Sequence, residues 1–131
     1  ALKAGNKDAA IGWYETALAV DPLNRAAYVA LAEIARDQGL KGKAVRMYKE
    51  ALEIEPNDPQ VLADQAMVML SKGALDPAKK NLARLQLICK TNCAATDALA
   101  KAIATAKDRP AVQASAVTIK PTVEVIPPKP N

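Results

Sequence analysis

The sequence predicts an all-α chain: a right-handed α-solenoid of antiparallel helix pairs, closed by a C-terminal capping helix and followed by an extended, proline-rich tail. Three observations carry this. The first is an echo at one fixed spacing. Gly5, Gly39 and Gly73 fall on it, as do Ala10, Ala44 and Ala78, then Tyr14, Tyr48 and Leu82, then Ala17, Ala51 and Leu85, with Pro22 and Pro56 closing two of the units. A fixed period of this size marks stacked supersecondary units, none of which buries its apolar face alone. The second is helical periodicity. Ala44, Met47, Tyr48, Ala51 and Leu52 recur at three- and four-residue steps, and so do Leu62, Ala66, Met69 and Leu70. The third is the lack of strand signals before the tail.

The chain divides on this grid. Residues 1–24 read as a partial unit. Its opening Ala1-Leu2-Lys3-Ala4-Gly5 fits only the last turn of a preceding helix, and there is no starting Met, so residues upstream are expected. Residues 25–58 and 59–92 read as two full units. Gly39 and Gly73 end their first helices, where a left-handed residue is needed. Asp21-Pro22 and Glu55-Pro56 stop second helices, because proline cannot continue them. Asp58-Pro59 and Asp76-Pro77 read as an N-cap followed by proline at the first helical position. Ala32, Ala66, Ala44 and Ala78 are placed to let backbones approach, with aromatic residues filling the space between. Residues 93–107 read as the capping helix, alanine-rich, with Leu99 and Ile103 on one side and Asp97 and Lys101 elsewhere. Residues 108–131 carry Pro110, Pro121, Pro127, Pro128 and Pro130 among β-branched runs and no glycine, a composition for extended chain.

The second unit reads Tyr28-x2-Leu31-Ala32-x2-Ala35, then Ala44-x3-Tyr48-x2-Ala51-x4-Pro56. This resembles the tetratricopeptide repeat pattern, W-x2-L-G-x2-Y followed by A-x3-F and a closing proline. The first unit matches in its second half only, at Ala10, Tyr14, Ala17 and Pro22. The third matches through Leu62, Ala66, Met69, Gly73, Ala78, Leu82 and Leu85, with Lys90 where proline would end it. The resemblance implies a protein-binding array whose first helices line a concave face. That face would show Ala26, Val29, Glu33, Arg36 and Asp37 from one unit and Gln60, Ala63, Asp64, Met67 and Leu70 from the next, and the cap would add Asp97 and Lys101. One family branch holds C-terminal carboxylates there through Lys, Arg and Asn. This sequence has Val29, Glu33 and Asp64 near those places, which argues against such a clamp. A mixed apolar and acidic groove suits an extended or helical peptide with some basic character. Trp13, beside Tyr14 but pointing elsewhere on the helix, is a candidate surface contact. Ile119, Val123, Val125 and Ile126 are the candidate anchors of the tail on a partner chain or second copy.

Composition narrows the function. The net charge is +4 and the pI about 9.1. Lys41, Lys43, Arg46, Lys49, Lys79, Lys80 and Arg84 supply much of it from the second helices, but Glu50, Glu53 and Glu55 interrupt the stripe. Nucleic-acid binding would need a denser one with partners for bases, so none is expected. There is no His, the only serines are Ser71 and Ser115, and the glycines stand singly, so neither a nucleophile motif nor a phosphate loop is present. We expect no enzyme activity, no cofactor and no metal, since two thiols alone leave a zinc site half built. No segment reads as a membrane span.

Cys89 and Cys93 enclose Lys90-Thr91-Asn92 at the junction with the cap. Either both are reduced and buried there, or they bridge a tight turn in an oxidising compartment. A bridge requires the helix to break between them. With the alanine-rich composition, the pair points to a non-enzymatic scaffold or adaptor in a bacterial envelope complex, in the periplasm or cell envelope, with the cytoplasm as the alternative. Two rivals stand beside it: a permanently assembled subunit strapped on by its tail, and an assembly chaperone for a secretion, pilus or cytochrome-maturation system.

Overall fold

The structure is a computed structural model and describes residues 4–91 and 93–107. The tail, with Ile119, Val123, Val125 and Ile126, lies outside the described residues, as do residues 1–3. Among the described residues there are six helices and no strand: α1 (Ala4–Val20), α2 (Arg25–Asp37), α3 (Lys41–Ile54), α4 (Pro59–Ser71), α5 (Leu75–Ile88) and α6 (Ala94–Lys107). The fold is an all-α helical repeat. Each helix packs on the next in sequence, and α6 lies across both α4 and α5.

Local chemistry sets most of the breaks. Gly39 and Gly73 have φ of +78° and +80°, the left-handed region that side-chain-bearing residues avoid. At both glycines the chain makes the same pair of bonds. Gly39 N–H donates to Arg36 C=O (3.0 Å) and Leu40 N–H to Ala35 C=O (2.8 Å); one repeat later, Gly73 donates to Leu70 (2.9 Å) and Ala74 to Met69 (2.8 Å). These are the paired bonds that close a helix with a left-handed residue. Asp58 accepts from the N–H of Gln60 (3.1 Å) and Val61 (3.2 Å), with Pro59 behind it at the start of α4. Asn24 caps α2 through the Ala27 N–H at 3.1 Å.

Two local expectations give way. Asp76-Pro77 is not the cap of α5. The helix already starts at Leu75, with Ala74 as the cap residue and no side-chain cap bond, and Asp76 sits in the first turn. The turn after Gly73 fixes where the next helix begins, as the turn after Gly39 does for α3, which leaves Leu40 in the same uncapped role. An acidic residue in the first turn still favours the helix through its dipole. Gly5 lies inside α1 and does not end a helix.

The small residues stand where backbones meet. Ala32, Ala44, Ala66 and Ala78 are fully buried, and so are Tyr48 and Leu85. One apolar cluster gathers Ala32, Ala35, Ala44, Tyr48, Ala51, Val61 and Val68; a second gathers Leu62, Ala63, Ala66, Ala78, Leu85, Leu99 and Ile103. Leu52 packs against both, so the core runs on along the stack. A polar pair, buried Gln65 and half-buried Asn81, joins the helices as well. The Gln65 amide donates to Val45 C=O (3.1 Å), and Asn81 donates to Gln65 Oε1 (2.9 Å) and to Leu62 C=O (3.0 Å). This ties α3, α4 and α5 and satisfies an amide that would otherwise be costly to bury.

Candidate protein-binding face

The residues expected on a binding face are distributed as follows. On α2, Glu33, Arg36 and Asp37 are exposed and Val29 is half-buried; on α4, Gln60 and Met67 are exposed, while Asp64 and Leu70 are half-buried. Ala63 is a correction: it is 6% exposed, because it joins the cluster around Leu99 and Ile103 under α6. Asp97 and Lys101 of α6 are exposed.

Polar contacts draw α2 and α4 into one surface. Asp64 accepts from Gln60 Nε2 at 3.0 Å, one turn earlier on its own helix, and faces Arg36 across the gap at 3.9 Å. Arg36 also donates to the Tyr48 hydroxyl at 3.2 Å. At the other end of the two helices Arg25 pairs with Asp58 at 2.8 Å. Arg36 is thus occupied. The Tyr48 hydrogen bond, with Asp64 and Glu33 nearby, holds its guanidinium above its already high ordinary value. Burial pushes the Tyr48 phenol above 10.0, against the pull of Arg36. Glu33 and Asp37 have no ion pair among the described residues. What the surface offers an incoming chain is therefore acidic, with Met67 and part of Val29 as apolar contacts. The Tyr48 hydroxyl under this face was not anticipated. Its only signal was Tyr where the repeat pattern carries Phe.

Trp13 stands on α1, 72% exposed, while neighbouring Tyr14 is half-buried. Cys89 caps the end of α5, Cys93 precedes α6, and the structure joins their sulfurs, with Cα atoms 6.0 Å apart. Among the described residues no three potential ligands converge on a metal position, and no helix is long and apolar enough to cross a membrane.

Residues 25–68 match the family model described as tetratricopeptide repeat. Solved structures share the fold. The Yersinia enterocolitica type III secretion translocator chaperone SycD aligns with a TM-score of 0.69 at 18% identity, covering 81% of this chain and 77% of that one. The same chaperone in complex with a peptide of the translocator YopD aligns with a TM-score of 0.69 at 18% identity, covering 80% and 85%. No curated protein sequence matches the chain.

Proposed function

From the premise that this chain is built on the tetratricopeptide repeat, we propose that it is a non-enzymatic protein-binding module, an adaptor that holds an extended, basic segment of a partner on the joined α2–α4 face. The observation that carries the reading is the pairing on that face. Arg36 is engaged by Tyr48 and Asp64, while Glu33 and Asp37 have no ion pair among the described residues and, like Met67, are exposed. Free carboxylates beside apolar contacts favour a ligand that brings cations and short apolar side chains. A chaperone that shields such a segment before assembly is the second reading, supported by the peptide-bound SycD, whose fold this chain shares.

The test is selection from a random peptide library on the immobilised chain, repeated with Glu33→Lys and Asp37→Lys together. Selected peptides are expected to be rich in Lys and Arg, and the double reversal to weaken them about tenfold or more, the scale of a lost close charge pair. Both positions are exposed, so melting should hardly change. Peptides indifferent to the reversal, or acidic ones, would remove the proposal.

For compartment we propose the cell envelope, on the strength of the cysteine pair. Mass spectrometry of native protein, alkylated without reduction, is expected to find neither Cys89 nor Cys93 labelled. Two labelled thiols would place the chain in a reducing compartment.

A further inference from the structure

A second surface lies away from the α2–α4 face. Where the turn after α1 meets the end of α3, Pro22, Leu23, Tyr28, Glu50, Glu53 and Ile54 line a shallow hollow of about 350 Å³. Leu23 is 73% exposed at its rim. Glu50 and Glu53 project from one side of α3, and Glu50 is half-buried. Neither carboxylate has an ion pair among the described residues, although Arg46 and Lys49 stand one turn earlier on the same helix. An aromatic ring, a proline and a leucine beside two unpaired carboxylates form a receptor for a cation carried on a stiff, apolar backbone. The ring attracts the ammonium group and the apolar residues accept the prolines flanking it.

The repeat makes the site singular. One repeat on from Leu23, Glu50, Glu53 and Ile54 the corresponding positions hold Asn57, Arg84, Leu87 and Ile88. The corresponding hollow beside α5, lined in part by Asn57, Ile88 and Lys90, has lost both acids. The chain also carries the matching ligand. Pro127-Pro128-Lys129-Pro130 has a lysine with proline on both sides, and Lys120 has proline on one side only. The stretch that leads to Lys129 starts after Lys107, the last residue of α6. At about 3.1 Å per residue in polyproline geometry that stretch reaches roughly 70 Å. Two helix-to-helix steps and one helix length, roughly 40 Å, separate the end of α6 from the hollow.

We propose that Lys129, between its prolines, docks in the Tyr28–Glu50–Glu53 hollow of its own chain. The proposal is separate from the binding face described above, and either can fail alone. It is tested on the full chain, isotope-labelled for amide NMR, as wild type, Lys129→Ala and Lys120→Ala, each with and without Glu50→Gln and Glu53→Gln. The amide signals of Leu23, Tyr28 and Glu53 are expected to shift on Lys129→Ala and hardly at all on Lys120→Ala. That shift should disappear when both glutamates are already glutamine, and raised salt should reproduce it in the wild type. Signals unchanged by Lys129→Ala, or changed equally by Lys120→Ala, would overturn the proposal. A shift that depends on protein concentration would also overturn it, because it assigns the contact to a second copy.

Discussion

Tyr48→Ala is expected to lower unfolding stability by about 3–5 kcal/mol, the range for removing a fully buried aromatic side chain. For a described body of this size that is a fall in melting temperature of roughly 10–25 °C. Tyr48 is 0% exposed and clusters with Ala32, Ala44, Ala51 and Val61, small side chains that cannot expand into the space it would vacate. A melting temperature within a degree or two of wild type would refute this packing.

Tyr48→Phe separates the ring from the hydroxyl. It keeps the volume and removes the acceptor for Arg36, at a cost of about 1 kcal/mol. Arg36 remains partly exposed, so water can replace the lost partner. The variant also carries a pH signature. Burial raises the phenol above its ordinary value, so the folded state keeps a proton that the unfolded state releases. Its contribution is complete below about pH 10, where the unfolded phenol titrates, and falls as pH rises beyond it. The gap between wild type and Tyr48→Phe should therefore narrow at alkaline pH, as followed by chemical denaturation.

The features legible in the sequence are those fixed by short-range sterics. Gly39 and Gly73 mark helix ends because few other residues accept their backbone conformation, and Ala32, Ala44, Ala66 and Ala78 mark contacts because larger residues would hold the helices apart. Asp58-Pro59 was legible for the same local reason, whereas Asp76-Pro77 carried the same signal and was overruled by the turn at Gly73. The Gln65–Asn81 pair could not be read, since its partners are 16 residues apart on different helices. Ala63 was misplaced because α6 crosses α4 more broadly than the repeat alone implies. Glu50 and Glu53 stand out in the sequence only as breaks in a basic stripe; that they share a hollow with Pro22 and Leu23 depends on the turn after α1 reaching the end of α3. The binding face was legible as a set of positions, but the engagement of Arg36 by Tyr48 and Asp64 was not, and that engagement decides which charges remain free.

Leu99→Asp is expected to detach the cap. Leu99 is 1% exposed and sits in an apolar cluster with Leu62, Leu85 and Ile103, poor surroundings for a carboxylate. The variant loses the burial of a leucine and must in addition desolvate a charge, together about 4 kcal/mol or more. Few other side chains hold α6, chiefly Ile103, Ala95 and Thr96, so undocking is the cheaper response. A free helix of this length is marginal in water, so the amides of α6 should exchange hydrogen at nearly unstructured rates. The backbone still tethers the segment to α5 without restoring the contact. Because each unit in such an array leans on its neighbours alone, protection should fall in α4 and α5, which α6 covers, and persist in α2 and α3. Exposed Leu62 and Leu85 should then bind a hydrophobic dye. Full protection of α6 would mean that Leu99 does not hold it. Protection lost equally from α1 to α6 would mean that the helices unfold as one unit, and the nearest-neighbour account of this stack would have to be abandoned.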